Sequence, residues 1–137
     1  MLDNGLDWLS GGMTAAAWWQ ILLYLLISAQ ITIFGVTLYL HRSQAHRAVD
    51  FHPLIAHFFR FWIWLTTAMV TKEWVAIHRK HHAKCETAED PHSPVAHGIS
   101  TVVVHGVTLY QQCLNDREMI DQYGLNCPND WIERNLY

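Results

Sequence analysis

Positive charge is missing from the first 41 residues, because all nine Lys and Arg of this 137-residue chain lie at or after Arg42. A cleaved signal peptide needs a basic n-region, and residues 1–13 carry Asp3 and Asp7 but no Lys or Arg, which argues against one. Charge of either sign is scarce. It makes up 15% of the chain against the roughly 25% of soluble domains, while 51% of residues are hydrophobic, which places the chain at a membrane. Cysteine is scarce too. Cys85, Cys113 and Cys127 are odd in number and far apart, with no C-x-x-C pair, which argues against a disulfide framework and a structural zinc knot. H-E-x-x-H does not occur, which excludes the zinc-protease pattern. No internal repeat or low-complexity tract divides the chain, and residues 1–137 read as one unit.

The missing charge is missing from particular places. Residues 15–40 hold none and are dominated by Trp, Leu, Ile, Tyr and Val. As a helix they would run roughly 39 Å, against a hydrocarbon core of about 30 Å, so a transmembrane helix with a turn or two in the interface is predicted. The basic residues downstream then place the chain after the span on the cytoplasmic side. The second apolar stretch, residues 53–71, contains His57 and Arg60. A central arginine costs roughly 2.5–3.5 kcal/mol in a bilayer even on the lenient insertion scale. A single crossing here would also put the histidines before and after it on opposite sides. Residues 53–71 are therefore expected to be interfacial or re-entrant, and residues 72–137 cytosolic. The expected fold is all-α: one transmembrane helix, an interfacial or re-entrant helix, and cytosolic helices. Residues 84–94 read as a turn-rich loop and residues 102–114 as helix. Asp130 with Glu133 three residues on resembles a helix start, and a helix beginning so close to Tyr137 suggests a truncated polypeptide.

Five imidazoles stand in two clusters, His41-Arg-Ser-Gln-Ala-His46 and His78-Arg-Lys-His81-His82. Imidazole suits iron, copper, nickel and zinc, so the clusters indicate a metal site without choosing the metal. At about 100° per residue, His81 and His82 lie at about −60° and +40° from His78, and the three are expected to converge on metal. His41 and His46 are about 140° apart on a regular helix, too wide for one ion, so they are expected to serve two neighbouring ions or to sit at a helix end that turns. Either arrangement suits a dinuclear centre.

The motifs HRSQAHR and HRKHH, with Glu73-Trp74 upstream of the second and Asp90-Pro-His92 downstream, resemble the membrane fatty-acyl desaturases, closest to the stearoyl-CoA delta-9 type and its bacterial relatives. The resemblance is close over residues 38–94 and loose beyond. It implies a non-haem di-iron oxidoreductase that uses O2 and two electrons to introduce a cis double bond into a long acyl chain, in unsaturated fatty acid synthesis at a bacterial inner membrane. It also implies that His41, His46, His78, His81 and His82 are iron ligands and that Trp74 lies near the acyl tunnel. The family's third histidine box, a later H-x-x-H-H, does not follow residue 82. The chain therefore resembles the N-terminal part of such an enzyme, and it is expected to be inactive alone.

Asp90 and His92 are candidates to support the ligands from behind. Arg42, Arg79 and Lys80, with Arg47 and Lys84, are candidates to meet a CoA phosphate or lipid head group, against the alternative of a simple positive-inside bias. His52 and His57 read as structural, His97 and His105 as uninvolved, and the seven tryptophans mostly as interface anchors. Expected partners are the membrane, an acyl-CoA or acyl lipid, and an external donor such as a ferredoxin, cytochrome b5 or a flavoprotein reductase, with no nucleic acid. The alternatives are a related di-iron hydroxylase, or a non-catalytic membrane fragment holding haem or zinc.

Overall fold

The computed structural model describes residues 16–137. Ala15, where the span was expected to begin, lies outside the described residues, as do residues 1–13. Every regular element among the described residues is helical: α1 (Trp18–Phe34), a π-helical segment (Gly35–Ala45), α2 (Pro53–Thr67), α3 (Thr71–Ala83), α4 (Pro94–His97), α5 (Ile99–Cys113), α6 (Arg117–Tyr123) and α7 (Trp131–Asn135). The all-α expectation holds. The chain divides into two units after Ile33.

In the first unit α1 buries none of its residues, and its Trp, Leu, Ile and Tyr side chains from Trp18 to Ile27 are about half exposed or more. In water such a surface is unfavourable; in lipid it is the solvent-matched face. Trp18–Ala45 is long and apolar enough to cross a membrane.

The second unit is organised around α3. Helix α2 starts where Pro53 fits the first turn and the His52 ring accepts the Leu54 N–H at 3.4 Å. It stops at Ala68, whose φ of 56° is left-handed. The chain then turns 87° into α3, the geometry of a broken span or a re-entrant loop. Lys80, His81 and His82 occupy the last turn of α3, where cations complement the helix dipole.

Two apolar clusters hold these elements. Tyr39 and Leu40 of the π-helical segment bury against Ile63 of α2, with Val36, Phe51, Phe59, Met69 and Trp74 around them. Ala76 and Ile77 of α3 bury against Met119 and Ile120 of α6, with Tyr110 and Leu114 of the α5 end alongside. Gly35 permits the first contact, since a Cβ there would come within 3.0 Å of two Ile63 side-chain atoms. Gly35→Val is expected to destabilise the chain by about 1–3 kcal/mol through overpacking. A thermal melt in detergent checks it, and an unchanged Tm would mean that the approach of Gly35 to Ile63 carries no stability.

Arg60, the residue that argued against a simple crossing, is 7% exposed and paired within the chain. Its guanidinium lies 2.8 Å from Asp130 Oδ2 and 3.5 Å from Glu133 Oε2, donates to His57 Nδ1 at 3.2 Å, and stands 5.3 Å from the Tyr137 ring centroid. Asp130 also caps α7, accepting the Glu133 N–H at 2.9 Å, as the Asp-to-Glu spacing predicts. Helix α5 begins at Ile99, three residues before the predicted start, and is kinked at His105, where φ is −114° and ψ is 18°. The turn-rich loop lies where it was expected, between α3 and α4.

Candidate metal centre

The π-helical segment decides how the first histidine pair is presented. Its hydrogen bonds include His46 N–H to His41 C=O at 3.0 Å, five residues back. An i→i+5 ladder takes roughly 4.4 residues per turn, so residues five apart lie only about 50° apart instead of 140°. His41 and His46 therefore share a face, and their ring centroids are 4.6 Å apart. On α3, His78 and His82 are one turn apart, with centroids at 4.6 Å.

The two pairs meet. His41 to His78 is 4.7 Å and His46 to His82 is 4.8 Å between centroids, closing a four-ring cluster whose diagonals are 5.5 and 6.5 Å. One nitrogen from each ring lies within 4.8 Å of the others. His78 Nε2 and His82 Nε2 are 3.1 Å apart. Two nitrogens bound at about 2.0–2.1 Å to one tetrahedral ion stand roughly 3.3 Å apart, so this pair is already near ligand spacing. Burial, reinforced by the neighbouring imidazoles, lowers the His78 pKa to about 3. At neutral pH its ring is uncharged and carries a lone pair on one nitrogen, the form in which imidazole binds metal. The donor set thus fits a transition-metal ion.

His81 does not join these four. Its Nδ1–H donates to Asp90 Oδ1 at 2.7 Å, and Cys85, exposed, lies in the same small group of donors. The arc expected to bring His78, His81 and His82 together is divided, because the buried Asp90 carboxylate draws His81 toward the loop. Asp90 is 1% exposed and accepts the N–H groups of His92 at 2.9 Å and Glu86 at 3.0 Å. Burial alone would raise its pKa, but the hydrogen bonds from His81 and these two N–H groups hold it below the usual carboxylate range. His92 contributes its backbone here, and its ring, 6.0 Å from that of His81, has its pKa lowered by burial. His97 also serves this loop, its Nε2 standing 3.3 Å from the Asp90 carbonyl.

Trp74 stacks on His78 with centroids 4.7 Å apart and planes inclined by 16°, so it fixes the ring plane of a candidate ligand. Arg79 spends its guanidinium on backbone carbonyls, those of Ala45, Gln44, Tyr123 and Leu125, at 2.8–3.2 Å. It ties the end of the π-helical segment to the chain after α6, and those donors are not free for a substrate phosphate. Lys80 stands 4.0 Å from Asp116. Arg42 is exposed.

Among the described residues these features amount to an all-helical chain with one membrane-length apolar helix and a four-imidazole cluster built like a ligand set. Comparison with curated proteins adds that the chain is desaturase-like over part of its length. It is 41% identical over 59 residues to a probable chloroplastic lipid desaturase of Arabidopsis thaliana, covering 43% of this chain and 16% of that protein. It is 33% identical over 76 residues to delta-9 acyl-lipid desaturase 1 of the same plant, covering 56% and 25%. An acyl-CoA 5-desaturase of Anemone leveillei is 33% identical over 81 residues, covering 59% and 24%. The matched region thus spans about a sixth to a quarter of these relatives. No family model matches the chain, and no solved structure does.

Proposed function

We propose that this chain forms the part of a membrane fatty-acyl desaturase that carries the first two histidine boxes, with His41, His46, His78 and His82 holding iron. The observation that carries the reading is the meeting of the two boxes in one four-ring cluster, in a chain similar to desaturases in that region. His81 completes the set through the nitrogen that Asp90 leaves free, and Asp90 and Trp74 act as positioning residues for His81 and His78. Bound iron would supply the O2-dependent oxidation that desaturation of an unactivated methylene requires. Arg42 and Lys80 face the anionic end of an acyl-CoA or acyl lipid, while electrons come from a separate donor protein.

Five imidazoles are fewer than two irons need at roughly four to six donors each, so the 137-residue chain alone is expected to bind iron without turnover. Anaerobic titration with ferrous iron, followed by assay with stearoyl-CoA, O2 and a reductant, tests both parts. Saturable binding without product is the expected result. Failure to bind iron overturns the metal reading, and product formation overturns the inactivity.

The delta-9 and bacterial inner-membrane readings rest on the sequence motifs, and the topology rests on parity. Both boxes lie on the cytoplasmic side, with α2 interfacial or re-entrant. The exposed Cys85 reports the second box, and Ala48→Cys in a Cys85→Ser background reports the first. An impermeant maleimide added from one side should label both positions or neither; labelling of only one would refute the re-entrant topology.

A further inference from the structure

Residues 91–115 hold no Asp, Glu, Lys or Arg, the longest such run after the one that contains α1. Helix α5 lies inside this run and is only partly covered. Tyr110 and Cys113 at its C-terminal end, with Leu114, pack on the core around Met119 and Ile120. Its other end stands clear: Ile99, Val103, Val104 and Val107, with Val95 of α4 before them, are 70–76% exposed. Ile99, Val103 and Val107 are four residues apart and form one stripe. Valine loses rotamer freedom in a helix, so intrinsic propensity does not account for such a stripe in water. The exposed polar residues beside it, Ser100, Thr108 and Gln111, are uncharged.

We infer that the Ile99–Val107 stripe of α5 lies in the membrane interface, with lipid acyl chains as its partner. This rests on the interfacial or re-entrant reading of α2 given above, and it takes α5 out of the cytosol, where the sequence alone puts residues 72–137. Gly106, Val107 and Tyr110 face Ala68 and Met69, at the 87° break between α2 and α3, across a groove of about 610 Å³ that no charged side chain lines. Irregular backbone at membrane depth has to be screened from lipid by protein, and α5 is the element across from the break. Helix α2 turns a similar apolar face outward through Leu54, Phe58, Phe61 and Leu65. Depth is limited by the ion pairs beside the break, Lys72 with Asp121 and Glu73 with Arg117, which belong at head-group level. The helix therefore lies along the surface with its stripe inward and does not cross. A protein partner would bring a polar, water-exposed rim around an apolar centre, and α5 has no charged residue to meet one.

Photolabelling of the wild-type chain in phosphatidylcholine nanodiscs, with a diazirine carried on the lipid acyl chain and adducts mapped by mass spectrometry, tests this without any substitution. Adducts should fall on residues 99–107 as well as on α1 and α2. In Val103→Glu/Val107→Glu the α5 adducts should drop by about tenfold or more while those on α1 persist, because two carboxylates on the stripe oppose burial in lipid. Absence of adducts from residues 99–107 of the wild type overturns the inference. Adducts on α2 without α5 defeat it alone, whereas adducts on neither defeat the interfacial reading of α2 as well, so the two failures are distinguishable. A nitroxide on Val103→Cys, in a background with the three native cysteines changed to Ser, separates lipid from a second copy. Collision with O2 in preference to aqueous chromium oxalate, without spin–spin broadening, is the expected result; broadening would put a second copy on the stripe and overturn the lipid assignment.

Discussion

Alanine in place of His82 lowers the chain's affinity for ferrous iron by on the order of a hundredfold or more, with circular dichroism unchanged. The ring is exposed at the end of α3 and makes no core contact, so its loss costs little folding energy. In the proposed ligand set, however, it stands 3.1 Å from His78 and closes one side of the four-ring cluster. Removal of an outer partner of a metal ligand typically costs about 10–100-fold, and removal of the ligand itself costs at least as much. His46→Ala should match it, and Asp90→Asn should fall in the lower range, because it disturbs the orientation of His81 and leaves the four rings in place. Competition titration against a chelator of known affinity measures all three. Equal affinity in His82→Ala and wild type would remove the cluster from metal binding.

Arg60→Ala is expected to cost about 3 kcal/mol or more, a larger stability loss than overpacking at Gly35. The guanidinium is buried, and its removal leaves the Glu133 carboxylate, whose side chain is only 6% exposed, without a counter-charge. Burial already raises the Glu133 pKa, and the Arg60 charge, ahead of the Lys72 backbone N–H, opposes the rise. The loss therefore comes from stranding Glu133 more than from the pair itself, and Asp130, whose side chain is 52% exposed, can rehydrate. Arg60→Met combined with Glu133→Leu should recover most of the loss, since a buried pair replaced by apolar groups of similar volume is often neutral or better. Denaturation in detergent decides: an additive double variant would show that Arg60 and Glu133 do not interact energetically.

Local signals were legible where local physics decides the outcome. The Asp130-to-Glu133 cap needs only one side chain and the first turn of its own helix, and it forms as spaced. The loop after α3 arises from its turn residues, and α1 from its charge-free run. The histidine motifs likewise marked the residues that cluster. Phase was not legible. His41 and His46 look too far apart under the ordinary helical period, and nothing in their six-residue motif announces the i→i+5 ladder that aligns them. The divergence of His81 was hidden for a related reason: its partner Asp90 lies on a loop, and helical geometry alone cannot weigh a buried carboxylate nine residues away. Cys85 gives no signal in the spacing of the cysteines from one another; its place among donors depends on its distance from His81 and Asp90, which only the folded chain sets.

The sequence by itself determined the composition of the parts: a charge-free helix of membrane length, two histidine motifs, a capped final helix and a single arginine in an apolar stretch. Those are properties of short windows, set by hydropathy, capping and side-chain chemistry. Tertiary structure alone decided which histidines share a centre, that Arg79 is bound to backbone carbonyls, and that Arg60 is neutralised by residues some seventy positions away. The reason is physical. Burial of Tyr39, Leu40 and Ile63 fixes the rotation of the π-helical segment against α2, and contacts of α3 fix its own rotation. The relative orientation of the imidazoles results from that packing, which no local window contains.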